Sequence, residues 1–295
     1  MRKVADIKNV LIIGSGTLGL RIGLRCAMDG FQVKMYDLHQ KQLDTALVFQ
    51  DKILKNLVKV KQCTEEQAII AKKNIVTTTD RKFAVADVDL MSESVTENPD
   101  LKKKLYVEFA PLFESKTVLT TNTSYLLPSQ FATESGAPDR FCAFHFHDVF
   151  HANVVDVMPH PQTANWVVDL LMDFGKIIHQ TPVFIQNESP GYLYNAMLVA
   201  LIGAGGDLKA RDIGSIQDID RSWMGNMKTN MGIFGMLDQI GLDTAWHVVS
   251  PRKDAKSVRF AAILKQYVDE GKLGVKTGEG FYKYPNPEFK NPNFL

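Results

Sequence analysis

Short apolar runs alternate with helically spaced apolar positions through the first two thirds of the chain. Val10–Ile13, Gln32–Tyr36, Ile75–Thr78, Asp89–Glu93, Thr117–Thr121 and Phe141–Phe144 read as strands with helical patterns between them. Such alternation predicts a parallel sheet covered on both faces. Val154–Met158, Ile177–Gln180 and Val183–Ile185 read as later strands, in an antiparallel extension. Between the second and third strands lies a long helical insert, about Lys41 to Lys73, with Leu43, Leu47, Leu54, Leu57 and Val58 among its apolar positions. The polar cluster Gln186-Asn187-Glu188-Ser189-Pro190-Gly191 marks a boundary. Beyond it the pattern is helical only. Leu193, Ala196, Met197, Ala200, Leu201 and Ala204 follow one helix face, and Gly203-Ala204-Gly205-Gly206 is expected to end that helix. Ser215 and Asp218 have the spacing of a helix start. Further helices fit Asp243–Val249 and Val258–Glu270.

Composition narrows the class. At 295 residues the chain has room for two domains, and 45% hydrophobic with 23% charged residues is ordinary for a soluble globular protein. A net charge of +1 gives no global field favouring nucleic acid, so no nucleic-acid partner is expected. Cys26, Cys63 and Cys142 are odd in number and lack a CxxC spacing, and they read as reduced thiols. No apolar run approaches the length of a membrane span. The first strand begins within the first ten residues, which leaves no room for a targeting peptide, and the expected compartment is the cytoplasm.

The decisive local pattern is Val10-Leu11-Ile12-Ile13 running into Gly14-Ser15-Gly16-Thr17-Leu18-Gly19, answered by Asp37 after a second apolar strand. Gly14 permits a tight turn, Gly16 lets the backbone approach a pyrophosphate, and Gly19 lets the following helix pack on the strand. The helix start offers free N–H groups to phosphates. A carboxylate at the second strand end accepts from ribose hydroxyls and repels a 2′-phosphate, and Leu38 and His39 supply no arginine there. The expected cofactor is NAD; Asp37 also fits a plain strand-end cap. The expected fold is α/β. A Rossmann-type, doubly wound, mostly parallel sheet spans residues 1–187, and an all-helical substrate-binding domain spans 188–295.

Nicotinamide chemistry requires a proton acceptor near the reacting oxygen, and histidine suits it. His145 closes the apolar strand Phe141–Phe144, and Asp156 follows where the chain can return beside it. Ser124, at the end of Thr120-Thr121-Asn122-Thr123-Ser124, could bond substrate or cofactor, or cap a turn. Asn195, opening the first helix of the second domain, could polarise a carbonyl or cap backbone. Lys52, Lys55 and Lys59 share a face of the insert with Lys61 nearby, which fits a polyanion or a solvated face. His145, His147, Asp148 and His151 are close in sequence but match no metal motif, and no metal is expected.

These residues resemble the L-3-hydroxyacyl-CoA dehydrogenases across nearly the full length. The carriers are Gly14–Gly19 with Asp37, Ser94-Val95-Thr96-Glu97-Asn98-Pro99-Asp100-Leu101-Lys102, and Asn122-Thr123-Ser124. Arg140–Phe146, Ser189–Asn195 and the tail Lys276-Thr277-Gly278-Glu279-Gly280-Phe281-Tyr282 complete the set. The resemblance implies that His145 is the catalytic base oriented by Asp156, with Ser124 and Asn195 placing the substrate. It implies NAD contacts from Asp37, Glu97, Lys102, Ser124, Asp148 and Lys276, and contact of Lys59 or Lys61 with the phosphates of CoA. A homodimer through the helical domain follows from the same resemblance.

The chain departs from that pattern in places. The family's H-F-F-N-P stretch is His145-Phe146-His147-Asp148-Val149 here, so Asp148 replaces an amide. Asp156 stands where a longer Glu is usual. The segment Asn230-Met231-Gly232-Ile233-Phe234-Gly235 changes the acyl-pocket wall, with Trp223, Met224 and Met227 as further candidates for it. The chain is also similar to a divergent branch that reduces β,δ-diketo esters. The expected partner is therefore an acyl-CoA or a β-keto ester, most simply 3-hydroxybutyryl-CoA, oxidised reversibly to the 3-oxo compound. An NAD-binding protein without turnover is the alternative outside enzymology.

Overall fold

The computed structural model describes residues 3–295; Met1 and Arg2, which the first expected domain includes, lie outside them. The chain divides into two compact units at Leu193/Tyr194. The first begins with β1 (Asn9–Ile13), α1 (Thr17–Met28), β2 (Gln32–Tyr36), α2 (Gln40–Lys59), α3 (Glu65–Lys73), β3 (Ile75–Thr78) and α4 (Arg81–Val85). It continues with β4 (Leu90–Glu93), α5 (Pro99–Phe109), β5 (Val118–Thr121), β6 (Phe141–Phe146), β7 (Val154–Met158), α6 (Asn165–Ile177) and β8 (Thr181–Phe184).

The eight strands form one sheet in the order β3-β2-β1-β4-β5-β6-β7-β8. Every neighbouring pair is parallel except β6 with β7. Period-two alternation splits the strands between two cores. Val10, Ile12, Val33 and Met35 pack on one side with α1, while Leu11, Ile13, Met91 and Leu119 pack on the other with Tyr106 and Phe109 of α5. The order of connections reverses between β1 and β4, and an open sheet of this type has its ligand crevice beyond the strand ends at such a point.

The helical insert is a pair of helices. Thr64 caps α3, accepting from the Gln67 backbone at 3.1 Å while the Gln67 side chain accepts from the Thr64 N–H at 2.8 Å. Leu43, Ala46, Leu54 and Leu57 form the buried face of α2. The expected strand at Ile177–Gln180 does not form. The buried positions Val167, Leu170, Leu171, Phe174 and Ile178 keep helical spacing, so α6 takes Ile177 as its last residue and Ile178 as its cap, and His179 turns the chain with φ +56°.

The second unit contains α7 (Tyr194–Ala210), α8 (Ile216–Met227), α9 (Ile233–Ile240), α10 (Leu242–Val249) and α11 (Ala255–Asp269). The glycines at 203–206 do not end α7. Gly205 and Gly206 are packing positions: a Cβ on Gly205 would lie 2.8 Å from the Ile233 side chain of α9, and one on Gly206 2.4 Å from the Phe260 ring of α11. Two buried carboxylates tie the unit together. Asp220 accepts from the Phe234 and Gly235 N–H groups and the Tyr282 hydroxyl, and Asp238 from the Phe281 and Tyr282 N–H groups and the Tyr284 hydroxyl. The tail motif is thus the strap that satisfies Asp238. Among the described residues no helix is long and apolar enough to cross a membrane.

Gly206→Ala is expected to destabilise the protein by about 1–3 kcal/mol or more despite the better helix propensity of alanine, because it overpacks the α7–α11 contact. A lowered Tm in thermal unfolding checks it.

Candidate active site

At the sheet's reversal the β1–α1 loop leaves no room for other residues. Gly14 has φ +98°, and a Cβ on Gly19 would lie 1.9 Å from the Gly14 carbonyl oxygen. A Cβ on Gly16 would meet nothing within 4 Å, so that backbone faces open space. Asp37 is bound to this loop: its Oδ2 accepts from the Ser15 N–H at 3.0 Å and hydroxyl at 2.9 Å, and Oδ1 accepts from the His39 N–H at 3.2 Å. A cavity of about 470 Å³ opens here, lined by Gly14, Gly16, Asp37, Leu38, Ser94 and Thr96 among others. The buried Ser94 hydroxyl on its wall has no hydrogen-bond partner among the described residues. A tight glycine turn, an acid at the neighbouring strand end and an idle hydroxyl fit the adenosine half of a dinucleotide. Leu18 packs inward against the sheet core and fixes the helix, while Thr17 faces the next cavity.

That second cavity, about 680 Å³, shares Gly16 with the first and is walled by Thr17, Arg21, Phe49, Lys52, Asn56 and His151 among others. Lys59 and Lys61 are exposed and do not line it; Lys52 is the insert lysine that does. Arg21 of α1 is paired with Asp148. Burial opposes the charge on Asp148, but hydrogen bonding from His151 and the Arg21 guanidinium outweigh it and hold the carboxyl below its ordinary range. The anion that replaces the family's amide is therefore neutralised in place.

His145 and Asp156 are register partners across the antiparallel pair β6·β7. The strand expected to stop at Phe144 extends through Phe146, because pairing continues to Phe146↔Val155. His145 Nδ1 lies 3.0 Å from Asp156 Oδ2, and both groups are buried. Side chains directly opposite on paired strands are close, so the Asp side chain is long enough to reach the imidazole. His147 shares the strand face and places Nε2 3.0 Å from the same oxygen. Burial raises the Asp156 carboxyl, the hydrogen bonds from the two histidines lower it more, and the net direction is below the usual range. The Tyr192 ring lies 4.8 Å from the His145 ring, centroid to centroid.

Beneath these groups is a buried hub that sequence reasoning missed. Glu93, fully buried at the end of β4, accepts from Lys102 Nζ at 2.6 Å, the Thr121 hydroxyl at 2.7 Å and the Val95 N–H at 2.8 Å. Lys102 is equally buried and lies 3.4 Å from Glu97. It therefore fastens two acids rather than standing exposed to a cofactor. Glu97 in turn accepts from the Thr123 hydroxyl and from the Ser124 and Tyr125 N–H groups, which fixes Ser124 at the rim. Burial resists the charge on Glu97, yet these donors and Lys102 hold its carboxyl below the ordinary value. Asn122 accepts from the Phe146 N–H at 2.8 Å and joins this loop to the histidine strand. The available signal was an acid closing an apolar run, followed by a lysine on a helix.

Asn195 and Lys276 belong to the second unit. Asn195 lies in the first turn of α7, and Lys276 Nζ is 2.6 Å from both oxygens of Asp243. Met224 and Phe234 are buried there, with Trp223 and Met231 packed against them, while Met227 is exposed.

Residues 9–189 match the family model described as "3-hydroxyacyl-CoA dehydrogenase, NAD binding domain", and residues 191–284 match "3-hydroxyacyl-CoA dehydrogenase, C-terminal domain". The chain belongs to the 3-hydroxyacyl-CoA dehydrogenase family. It is an NAD-binding oxidoreductase. Mitochondrial hydroxyacyl-coenzyme A dehydrogenase of Homo sapiens is 30% identical over 290 residues, covering 94% of this chain and 91% of that one. Among solved structures, a diketoreductase described in terms of dual catalysis of dicarbonyl compounds superposes with a TM-score of 0.87 at 35% identity, covering 96% of this chain and all of that one. The (S)-3-hydroxybutyryl-CoA dehydrogenase PaaH1 of Ralstonia eutropha superposes with a TM-score of 0.85 at 27% identity, covering 95% of this chain and all of that one.

In this family member, Glu93→Gln or Lys102→Met alone leaves a buried charge without its partner and is expected to cost about 3–5 kcal/mol. Urea unfolding of each single variant and of the double variant checks this, with the double losing less than the sum.

Proposed function

We propose that the protein catalyses reversible NAD-dependent oxidation of a 3-hydroxyacyl compound to its 3-oxo form, with His145 as the general base. The observation that carries this reading is the buried His145–Asp156 pair at 3.0 Å. Because Nδ1 bonds the carboxylate, Nε2 is the ring atom available to take the hydroxyl proton, and Asp156 supports the imidazolium that forms. NAD, when bound, supplies the carbon that accepts hydride from the substrate. The glycine loop and Asp37 hold that cofactor, and Asp148 is held beside α1 by Arg21. Ser124, fixed through Glu97, holds the substrate's oxygen in the first unit, and Asn195 of the second unit is a further substrate-positioning group. In the reverse direction His145 donates the proton to the 3-oxo group.

The substrate class follows from the chemistry and from the relatives. A CoA thioester of a short 3-hydroxy acid, such as (S)-3-hydroxybutyryl-CoA, is the first reading. A β-keto or diketo ester without CoA is the second. It is favoured by the 35% identity to the diketoreductase and by Lys59 and Lys61 standing off the cavity wall. The functional unit is a homodimer formed through the helical unit: α7 is apolar around its circumference yet leaves Tyr194 and Met197 exposed at 51% and 65%.

His145→Ala is expected to lower turnover at least about 100-fold, as the loss of a general base does, while NADH binding survives. Nicotinamide absorbance with acetoacetyl-CoA, and fluorescence titration with NADH, check both halves. In the same assay acetoacetyl-CoA is expected to exceed ethyl acetoacetate in kcat/KM; equal values would assign the ester reading.

A further inference from the structure

Asp156 Oδ2 serves two imidazoles, not one. His145 Nδ1 and His147 Nε2 each lie 3.0 Å from it, and their ring centroids are 4.7 Å apart. The family's stretch has Phe at the second position after its histidine, so the second imidazole belongs to this chain's own pattern. A charged carboxylate only accepts, so both nitrogens present N–H to it. That arrangement sets complementary tautomers. His145 carries its proton on Nδ1 and keeps Nε2 as the acceptor, while His147 carries its proton on Nε2. The rest of the His147 side chain is mostly buried, 13% exposed.

We propose that His147 is a positioning residue for the reaction: it donates to the oxygen that orients His145, and so withholds part of that carboxylate's charge from the catalytic ring. The inference rests on His145 being the base. A carboxylate shared between two donors supports an imidazolium less than an undivided one does, and a protonated His147 opposes it further. Both effects have the same sign: relative to an undivided carboxylate, they weaken the support given to the imidazolium. Tyr192, whose ring packs on His145, is itself faced by Asp156, by Cys142 on β6, and by Glu93 and Glu97 at and beyond the end of β4, and Asp148 follows His147 on the same strand's exit. Glu93 and Glu97 are already bonded to Lys102 and the Thr121–Tyr125 segment, and Asp148 to Arg21.

The test is the pH dependence of kcat/KM for oxidation, measured for wild type, His147→Phe, His147→Gln and His145→Ala. Oxidation requires neutral His145, so the rate rises with pH. Removing the competing donor returns the whole carboxylate to His145, stabilises its protonated form and moves the rise to higher pH. The expected displacement for His147→Phe is about half to one pH unit, or about a 3- to 10-fold loss on the acid side. His147→Gln, which restores a neutral N–H donor, is expected to lie between Phe and wild type. An unmoved profile with only kcat or KM scaled, or a displacement to lower pH, overturns the proposal. So does a wild-type profile that moves on chelator treatment, since that assigns the trio to a cation. If His145→Ala keeps turnover, the general-base reading itself fails; if it is inactive and His147→Phe is unmoved, only the present inference fails. Should His147→Phe not fold, ¹⁵N-histidine NMR of the wild type decides. Coupled titration of two rings with Nδ1–H on His145 and Nε2–H on His147 supports the assignment, and independent titration or the opposite tautomers overturn it.

Discussion

A single antiparallel pairing inside an otherwise parallel sheet sets the geometry of the proposed catalytic pair. Because β7 turns back against β6, Asp156 becomes the direct cross-strand neighbour of His145, and a carboxylate meets an imidazole with both groups out of water. A parallel neighbour in that position would have required a crossover connection, whereas here the short segment between β6 and β7 suffices. Strand register is stiff, so the pair is held by the backbone ladder rather than by the side chains alone. The same register brings His147 onto the same oxygen, since alternate residues of a strand share a face.

The rim of the sheet depends on a second constraint, the buried ion pair of Glu93 and Lys102. A charge inside a protein is tolerated only when matched and fully hydrogen-bonded. Here four donors converge on Glu93, from Lys102, Tyr106, Thr121 and the Val95 backbone. Through Lys102 and Glu97 this hub reaches the Thr123–Tyr125 turn, and through Asn122 it reaches the end of β6. Ser124 and His145 are thus held by one connected polar network under the crevice, rather than by separate loops free to drift.

The charge departures from the family pattern are answered locally. Asp148 introduces an anion near the first turns of α1, and Arg21 on that helix neutralises it. The insert contributes Lys52 rather than Lys59 or Lys61 to the larger cavity, whose remaining wall includes the apolar Leu20, Phe49, Ile53, Leu57 and Phe150. In the second unit, the glycine-rich tail motif holds the helices together. Its Phe281 and Tyr282 N–H groups and the Tyr284 hydroxyl satisfy Asp238, and its Tyr282 hydroxyl joins the Phe234 and Gly235 N–H groups of α9 on Asp220; both carboxylates are buried among apolar helices.

Much of this was written in local pattern. The glycine loop with Asp37, the alternation of strands and helices, the helical second half and the proposed histidine base each rest on spacing within a short window, where backbone geometry alone dictates the residue type. What sequence could not supply were matters of partnership across the fold. The Gly203–Gly206 run looks like a helix end until Ile233 of α9 and Phe260 of α11 are seen to occupy the space that side chains on Gly205 and Gly206 would fill. Ile177–Gln180 looks like a strand until α6 claims Ile178 for its buried face. Lys102, expected as an NAD contact, is buried against Glu93, a partner that no local pattern names. The sharing of Asp156 by two histidines likewise emerges only when β7 is laid beside β6. Propensity and period act over a few residues, and so they are legible in one dimension; charge pairing, close approach and register are decided by which distant segments meet, and only the assembled structure holds that information.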